Sequence, residues 1–279
     1  MARSRRSRTA ITTSHLASWL RCPHCSQPLE ALEGLVLGCA DGHRFDSNRR
    51  GYLSVLDASK GILGDPRGLL DARARFLSLG FYEPVADAVA AALPTDRSLS
   101  ILDSGTGTGY YLQHVLSRSP GAVDALAADA SQAAVAMTVA LTGSCGLVAD
   151  VWRPSPVRDA RADAILCVFA PRNPAEFARI LRTGGTLVVV TPAAEHLAEL
   201  RAAGLLIGMQ QDKLTRLDES LAGHLELERR SGLRYEMHLT PAAAADLTAM
   251  GPTGHHDSVG AWTGGAATVS VDLSVYRRA

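Results

Sequence analysis

Two constellations in this chain carry residue types at spacings that do chemistry. The first is Cys22-x2-Cys25-x13-Cys39-x3-His43, in RCPHC and GCADGH. Each half is a short knuckle that points two ligands inward, and three thiolates with one imidazole complete a tetrahedral zinc site with no open position. Closed coordination makes such a metal structural, holding together a ribbon too small to fold on its own apolar core. Three nearby cysteines cannot form two disulfides, and the odd count fits a reducing compartment. His24, inside the first knuckle, competes as fourth ligand, but its position points it away. The second constellation is ILDSGTGTGYY, Ile101 to Tyr111, in which Asp103 ends an apolar run and Gly105, Gly107 and Gly109 follow at alternate positions. Glycines let the backbone turn at positive φ and let a ligand approach the main chain closely.

The order of acid and glycines narrows that ligand. A dinucleotide cradle reads G-x-G-x-x-G, with an acid on the ribose ~20 residues later. Here the pattern is D-x-G-x-G-x-G, and an aspartate ahead of the glycines repels a pyrophosphate. It suits an ammonium group, such as the methionine end of S-adenosylmethionine. The stretch resembles the first motif of the class I methyltransferases, with Thr108 inside the turn. An ordinary tight turn is the bland alternative, and downstream residues must decide.

The elements that position these residues can be read around them. Leu99 to Leu102 supplies a buried parallel strand, and VDALAADAS a second, with Asp129 at its end. A carboxylate there accepts both ribose hydroxyls, or caps the helix starting near Ser131, or does both. Asp150, in GLVADVW, ends a third short strand and either approaches the adenine amine or sits in an exposed turn. DAILCVFAPRNP is a fourth strand whose end, Ala170 and Pro171, faces the methyl group at the carboxyl edge of the sheet. A helix from Pro174 to Leu181, a turn at Gly184 and Gly185, and the strand TLVVVTP complete the crossovers. ATVSVDLSVYRR alternates as an antiparallel edge strand should. Cys145 and Cys167 are core thiols.

Composition bounds the rest. The formal net charge is zero and 47% of the residues are hydrophobic, enough for one large domain or for a domain plus a small module. Residues 1–80 hold 12 Lys plus Arg against 7 Asp plus Glu, a basic front on an acidic body compatible with a nucleic-acid partner. The start, MARSRRSRTAIT, has no apolar core and reads as a disordered basic tail rather than a secretory signal. No stretch approaches the ~20 apolar residues of a membrane span, so a soluble, cytoplasmic protein is expected. After the ribbon, Arg44, Arg49, Arg50 and Tyr52 combine positive charge with an aromatic plane that fits an RNA backbone and a stacked base. Alternatively Phe45, Tyr52, Leu53, Val55 and Leu56 only pack the ribbon. Adjacent His255 and His256 read as a loop rather than a metal site. Helices are expected in LLDARARFLSLG, ended by Gly80, and in YEPVADAVAAAL, with Pro84 in its first turn.

The knuckles followed by GHRFD, RRGYL, DARARFLSLGFYEP and LDSGTGTGYY resemble, in order and spacing from about Arg21 to Arg277, the RlmA family of 23S ribosomal RNA guanine-N1 methyltransferases. The resemblance implies an α/β, class I (Rossmann-like) S-adenosylmethionine-dependent methyltransferase fold with a small N-terminal zinc ribbon. It places a tail at 1–20, a zinc-binding RNA-recognition module at 21–56, a linker at 57–68 and a methyltransferase domain at 69–279. It adds Tyr82 and His196 to the S-adenosylmethionine pocket already assigned Asp103, Gly105, Gly107, Thr108, Gly109, Asp129 and Asp150. It also implies a hairpin of 23S rRNA as partner, a homodimer as assembly, and a branch linked to resistance to tylosin and related macrolides, which AMGPTGHH resembles. Arg172 and Asn173 depart from the pattern of the best-known members. Guanine N1 bears a proton that some base must accept; Asp65 and His196 are the candidates. A methyltransferase of small molecules or proteins is the alternative enzyme, although a small substrate needs no gripping ribbon. A non-catalytic RNA-binding protein is the alternative outside catalysis.

Overall fold

The computed structural model describes residues 13–56, 64–206, 212–251 and 262–279. His255 and His256, and residues 57–63 of the expected linker, lie outside them. The ribbon strands are β1 (Glu30–Ala31), β2 (Val36–Gly38), β3 (Arg44–Asn48) and β4 (Tyr52–Ser54). The larger part contributes β5 (Leu99–Ser104), β6 (Val123–Asp129), β7 (Cys145–Val148), β8 (Ala162–Val168), β9 (Leu181–Pro192), β10 (Glu226–Leu239) and β11 (Gly265–Arg277). Among the described residues these form one sheet, in the order β1-β2-β3-β4-β7-β6-β5-β8-β9-β11-β10.

The centre, from β7 to β9, is parallel, and the chain winds outward from β5 in both directions. Each central strand is apolar on both faces, as a doubly covered parallel sheet requires. Ile101, Leu166 and Val188 enter one core; Leu102, Ile165 and Leu187 enter the other. The first core is covered by α2 (Arg67–Ser78), α3 (Glu83–Ala91), α4 (Tyr110–Arg118) and α9 (Pro241–Ala249). The second is covered by α1 (residues 13–19), α6 (Pro174–Ile180) and α8 (Lys213–Leu221). Helix α5 (Gln132–Thr142) packs over the seam between β4 and β7, and α7 (Ala198–Ala202) follows β9.

Several expectations need correction. Residues 13–20, expected within the tail, instead form a helix and its end, because Leu16, Trp19 and Leu20 recur at helical spacing and are fully buried. Trp19 donates from Nε1 to Asp124 at 3.0 Å and lies under the Arg161 guanidinium, 4.1 Å from its ring centre. The GG turn does not precede β9 but lies within it: Ala162 pairs with Leu181 and Ala164 with Thr186, so residues 182–185 bulge outward. Strand β11 is not the edge. It runs antiparallel between β9 and β10 and is buried on both faces, leaving β10 outermost.

The ribbon is not an appendage on a tether. Strand β4 runs parallel to β7, with Tyr52 opposite Gly146 and Ser54 opposite Val148. Gly146 makes the close approach possible, since a Cβ there would meet the Tyr52 Cβ at 2.6 Å. Tyr52 is thereby 3% exposed, packed on Val135, Val139 and Val148, with Gln132 donating to its hydroxyl at 3.2 Å. A base cannot reach its ring, so the expected RNA contact at Tyr52 is withdrawn. Arg44, Arg49 and Arg50 remain exposed, with Arg44 also donating to the Cys39 and His43 carbonyls.

Candidate active site and zinc centre

Strand β5 delivers Asp103 to the carboxyl edge of the sheet, and the chain then turns through three glycines with φ of +78°, +54° and +80° at Gly105, Gly107 and Gly109. The turn is tied to β6: Gly105 and Thr106 both donate to the Ala128 carbonyl, at 2.8 and 3.1 Å. Gly105 is required for space as well as conformation, because a Cβ there would lie 2.4 Å from the Ala170 Cβ. The end of β8 therefore rests directly on the turn. Thr108 is buried beside it.

Asp103 is 3% exposed and accepts a 2.5 Å hydrogen bond from the Thr106 hydroxyl. Burial pushes its carboxyl up to about 7, against the pull of that hydroxyl, and the Asp129 charge adds to the rise. An uncompensated carboxylate here calls for a cation. Asp129 accepts from Gly107 N–H at 3.0 Å and from Ser131 N–H at 2.8 Å. Burial raises its pKa while these two bonds oppose the rise. Ser131, not Asp129, caps α5, accepting from Ala134 N–H. A carboxylate has about four acceptor positions, so the two backbone bonds leave Asp129 capacity for hydroxyls. Asp150 lies two residues beyond β7, accepts from Trp152 N–H at 3.0 Å and pairs with Arg153 at 3.4 Å.

Seven of the nine residues expected to bind the cofactor (Tyr82, Gly105, Gly107, Thr108, Asp129, Asp150 and His196) line one cavity of about 1160 Å³; Asp103 is buried beneath the turn and Gly109 precedes α4, and neither lines it. That volume exceeds the ~300–1000 Å³ of an ordinary small-ligand pocket. Tyr82 and His196 meet in its wall, with the Tyr82 hydroxyl 3.2 Å from His196 Nε2. Ser270 N–H donates to His196 Nδ1 at 3.2 Å, so the neutral ring carries its proton on Nε2 and donates to Tyr82. This arrangement makes His196 a positioning group for Tyr82 and removes it as the base for guanine N1. Asp65, the other candidate, is ion-paired with Arg73 at 2.8 Å.

The cavity also contains residues that sequence reasoning missed. Arg73 reaches it from α2 while donating to the Met250 carbonyl at 3.0 Å; nothing in its helical pattern singled it out. Trp152 is 68% exposed on the β7 side. Phe169, directly after β8, has φ of +54°, is 40% exposed and lines the cavity. A left-handed backbone at a bulky residue costs on the order of 1–3 kcal/mol and collects at functional sites. Ala170 and Pro171, expected at the carboxyl edge of the sheet, both line the cavity, and so does the aromatic beside them. Asn173 is structural: its side chain caps α6 and donates to the Val151 carbonyl.

In the ribbon, the ligand atoms of Cys22, Cys25, Cys39 and His43 all lie within 4.8 Å of one another. The Cys25 and Cys39 sulfurs are 3.6 Å apart, and Cys39 Sγ is 3.4 Å from His43 Nδ1. Backbone bonds close each knuckle, from Ser26 N–H to Cys22 and from Gly42 N–H to Cys39. Three thiolates and an imidazole at this spacing fit zinc in a closed, structural site. His24 stands aside, stacked on Phe45 at 5.7 Å.

Known proteins match this architecture. A family model described as "RlmA, N-terminal", a zinc ribbon, matches residues 20–60. The chain is 39% identical over 247 residues to the 23S rRNA (guanine(748)-N(1))-methyltransferase of Streptomyces fradiae, covering 87% of this chain and 88% of that one. A Micromonospora griseorubida protein with the provisional name 23S rRNA (guanine-N(1)-)-methyltransferase is 36% identical over 276 residues, 92% of this chain and 93% of its own. Among solved structures, the complex of the Haloferax volcanii Trm112 methyltransferase activator with a methyltransferase matches with a TM-score of 0.51 at 16% identity. That match covers 77% of this chain and 99% of the other, and shows the fold alone. With an S-adenosylmethionine-type sheet, a closed Cys3His zinc site and relatives of this identity along nearly its whole length, the chain belongs to the RlmA family of 23S rRNA guanine-N1 methyltransferases.

Proposed function

We propose that this enzyme transfers the methyl group of S-adenosylmethionine to N1 of a guanine held in a hairpin of 23S rRNA. The observation that carries the reading is the glycine turn after β5, set beside the buried Asp103 and lining a cavity large enough for a cofactor and an acceptor base together. When bound, the cofactor supplies a methyl group on a sulfonium centre. Asp103 receives its ammonium, the turn from Gly105 to Gly109 with Thr108 lies against its main-chain end, Asp129 accepts its ribose hydroxyls and Asp150 its adenine amine. Tyr82, held by His196, closes the wall beside it. Methyl transfer is an in-line displacement, so the protein acts mainly by orientation and by excluding water. Ala170, seated on Gly105, sets how closely the acceptor approaches.

The ribbon at 21–56 grips the RNA through Arg44, Arg49 and Arg50, while the domain from residue 69 onward performs transfer. Because β4 continues the catalytic sheet, grip and chemistry are held in fixed register. The name of the Streptomyces relative favours guanine 748 as acceptor; the resemblance to the tylosin-resistance branch supports macrolide protection, and that to the family as a whole a homodimer. Among the described residues no helix is long and apolar enough to cross a membrane, which agrees with work on ribosomal RNA in the cytoplasm.

The test is methyl transfer from labelled S-adenosylmethionine to unmodified 23S rRNA, with the product mapped by reverse-transcriptase arrest. A new stop at one guanine, lost in Asp103→Ala, supports the reading. Intact zinc and cofactor binding without incorporation into rRNA would move the search to other acceptors.

A further inference from the structure

We propose that Phe169 is the surface on which the target guanine stacks after leaving its helix, so that this ring determines how much of the bound RNA is held ready for transfer. The inference rests on the guanine-methyltransferase reading above.

The backbone carries the first argument. Along β8, Leu166 and Val168 face one core, Ile165 and Cys167 the other. Continued alternation would send residue 169 into the second core. Instead, φ of +54° rotates its ring to the opposite side, against Tyr82 at 6.1 Å, Tyr111 at 6.3 Å and His196 at 6.0 Å. Core packing does not explain this turn, because the ring remains 40% exposed in the cavity wall. The amide is meanwhile anchored, donating to the Val190 carbonyl at 3.1 Å. A strained backbone thus presents a supported aromatic face to the cavity.

Position carries the second. Phe169 adjoins Ala170, which rests on Gly105, and β8 is the immediate neighbour of β5. The other strongly exposed aromatic of the cavity, Trp152, follows β7, on the far side of β6 from that turn. Chemistry on a base edge requires the nucleotide to be extruded and held between apolar or aromatic groups. A phenyl ring offers a π-face to any base and reads no edge, so Phe169 supplies retention rather than choice of guanine.

The experiment compares wild type with Phe169→Leu, Phe169→Ala, Phe169→Tyr and Phe169→Trp, measuring transfer at saturating S-adenosylmethionine, KM for a 23S rRNA hairpin, cofactor affinity and melting temperature. If the ribbon carries RNA binding and Phe169 the extruded state, Leu and Ala lower kcat about tenfold or more. KM for the hairpin and cofactor affinity then stay within about twofold, while Tyr and Trp retain most of the rate. Should Phe169→Ala fail to fold, the Leu and Tyr variants decide. Wild-type kcat in Phe169→Leu overturns the proposal. So does a rate loss matched by an equal loss of cofactor affinity, which would mark the ring as packing for Tyr82 and Tyr111. Wild-type protein that methylates no guanine of 23S rRNA overturns the reaction itself and the stacking role with it.

Discussion

Gly105 and Ala170 share a single space, since a side chain on the first would begin 2.4 Å from the Cβ of the second. This contact joins the glycine turn after β5 to the end of β8. Gly105→Ala therefore adds a clash to a left-handed φ of +78°, together costing roughly 2–4 kcal/mol. Cofactor binding should fall with it. Ala170→Gly in the same chain removes the clash but not the backbone strain, so the double variant should regain part of the stability. Melting curves of the four proteins in the cycle check this; a double variant no more stable than Gly105→Ala would show that the two sites do not share the space.

Asp103 makes the empty enzyme sensitive to pH. Its folded carboxyl titrates at about 7 against an ordinary 3.8, because burial disfavours the charge. The folded state therefore binds more protons than the unfolded state between these values. The stability contribution is fully present below about pH 4 and is lost as pH rises to 7, a difference on the order of 4 kcal/mol. Asp103→Asn should be flatter across that window. On the proposed role of Asp103, S-adenosylmethionine sets its ammonium against the carboxylate, so its affinity for wild type should rise from pH 6 to 8, while that of the variant stays low. Calorimetric titrations at the two pH values decide it.

How much of this was legible in the sequence follows from how local each signal is. The zinc ligands and the Asp103 turn were readable because each knuckle and the glycine turn are built within a few residues, where spacing fixes geometry. The partner strand of β4 was not readable. Its register depends on a glycine almost a hundred positions away, Gly146, that leaves room for Tyr52. The sequence consequently left Tyr52 open between an RNA-facing and a packing role, since an aromatic among arginines looks the same whether it faces RNA or a neighbouring strand. Leu16, Trp19 and Leu20 were hidden by the arginine-rich residues before them. Phe169 escaped because a left-handed φ at a phenylalanine has no sequence signature, unlike one at a glycine. The inner position of β11 likewise depends on β10 folding back outside it.

The continuity of ribbon and catalytic sheet predicts how zinc removal spreads. Gly146 N–H donates to the Gly51 carbonyl and Val55 N–H to the Val148 carbonyl, both at 3.0 Å, across the β4–β7 seam. Chelation unfolds the knuckles, and β4 is too short to stay paired without them. Amide exchange at Gly146 and Val55 should accelerate, while central amides such as Leu102 and Leu166 keep their protection. RNA binding should be lost and cofactor binding largely kept. Unchanged exchange at Gly146 would mean that the seam stands without the metal.

His196 offers the last test, because its hydrogen bonds assign it a structural rather than a proton-accepting task. Nδ1 already accepts from Ser270 N–H, and the proton on Nε2 is directed at the Tyr82 hydroxyl. Replacing His196 by Ala leaves the buried Ser270 N–H without that acceptor, costing about 1–3 kcal/mol, and frees the Tyr82 ring to shift. Cofactor affinity and melting temperature should drop. The pH dependence of kcat at saturating substrates should nevertheless keep its shape, since no ionisation of this ring gates the transfer. A general base would behave differently: its removal would abolish the acid limb of the profile and lower kcat by roughly 100-fold or more. Profiles of the two proteins from pH 5.5 to 9 separate these outcomes, and loss of the acid limb in His196→Ala would return the ring to the role of base.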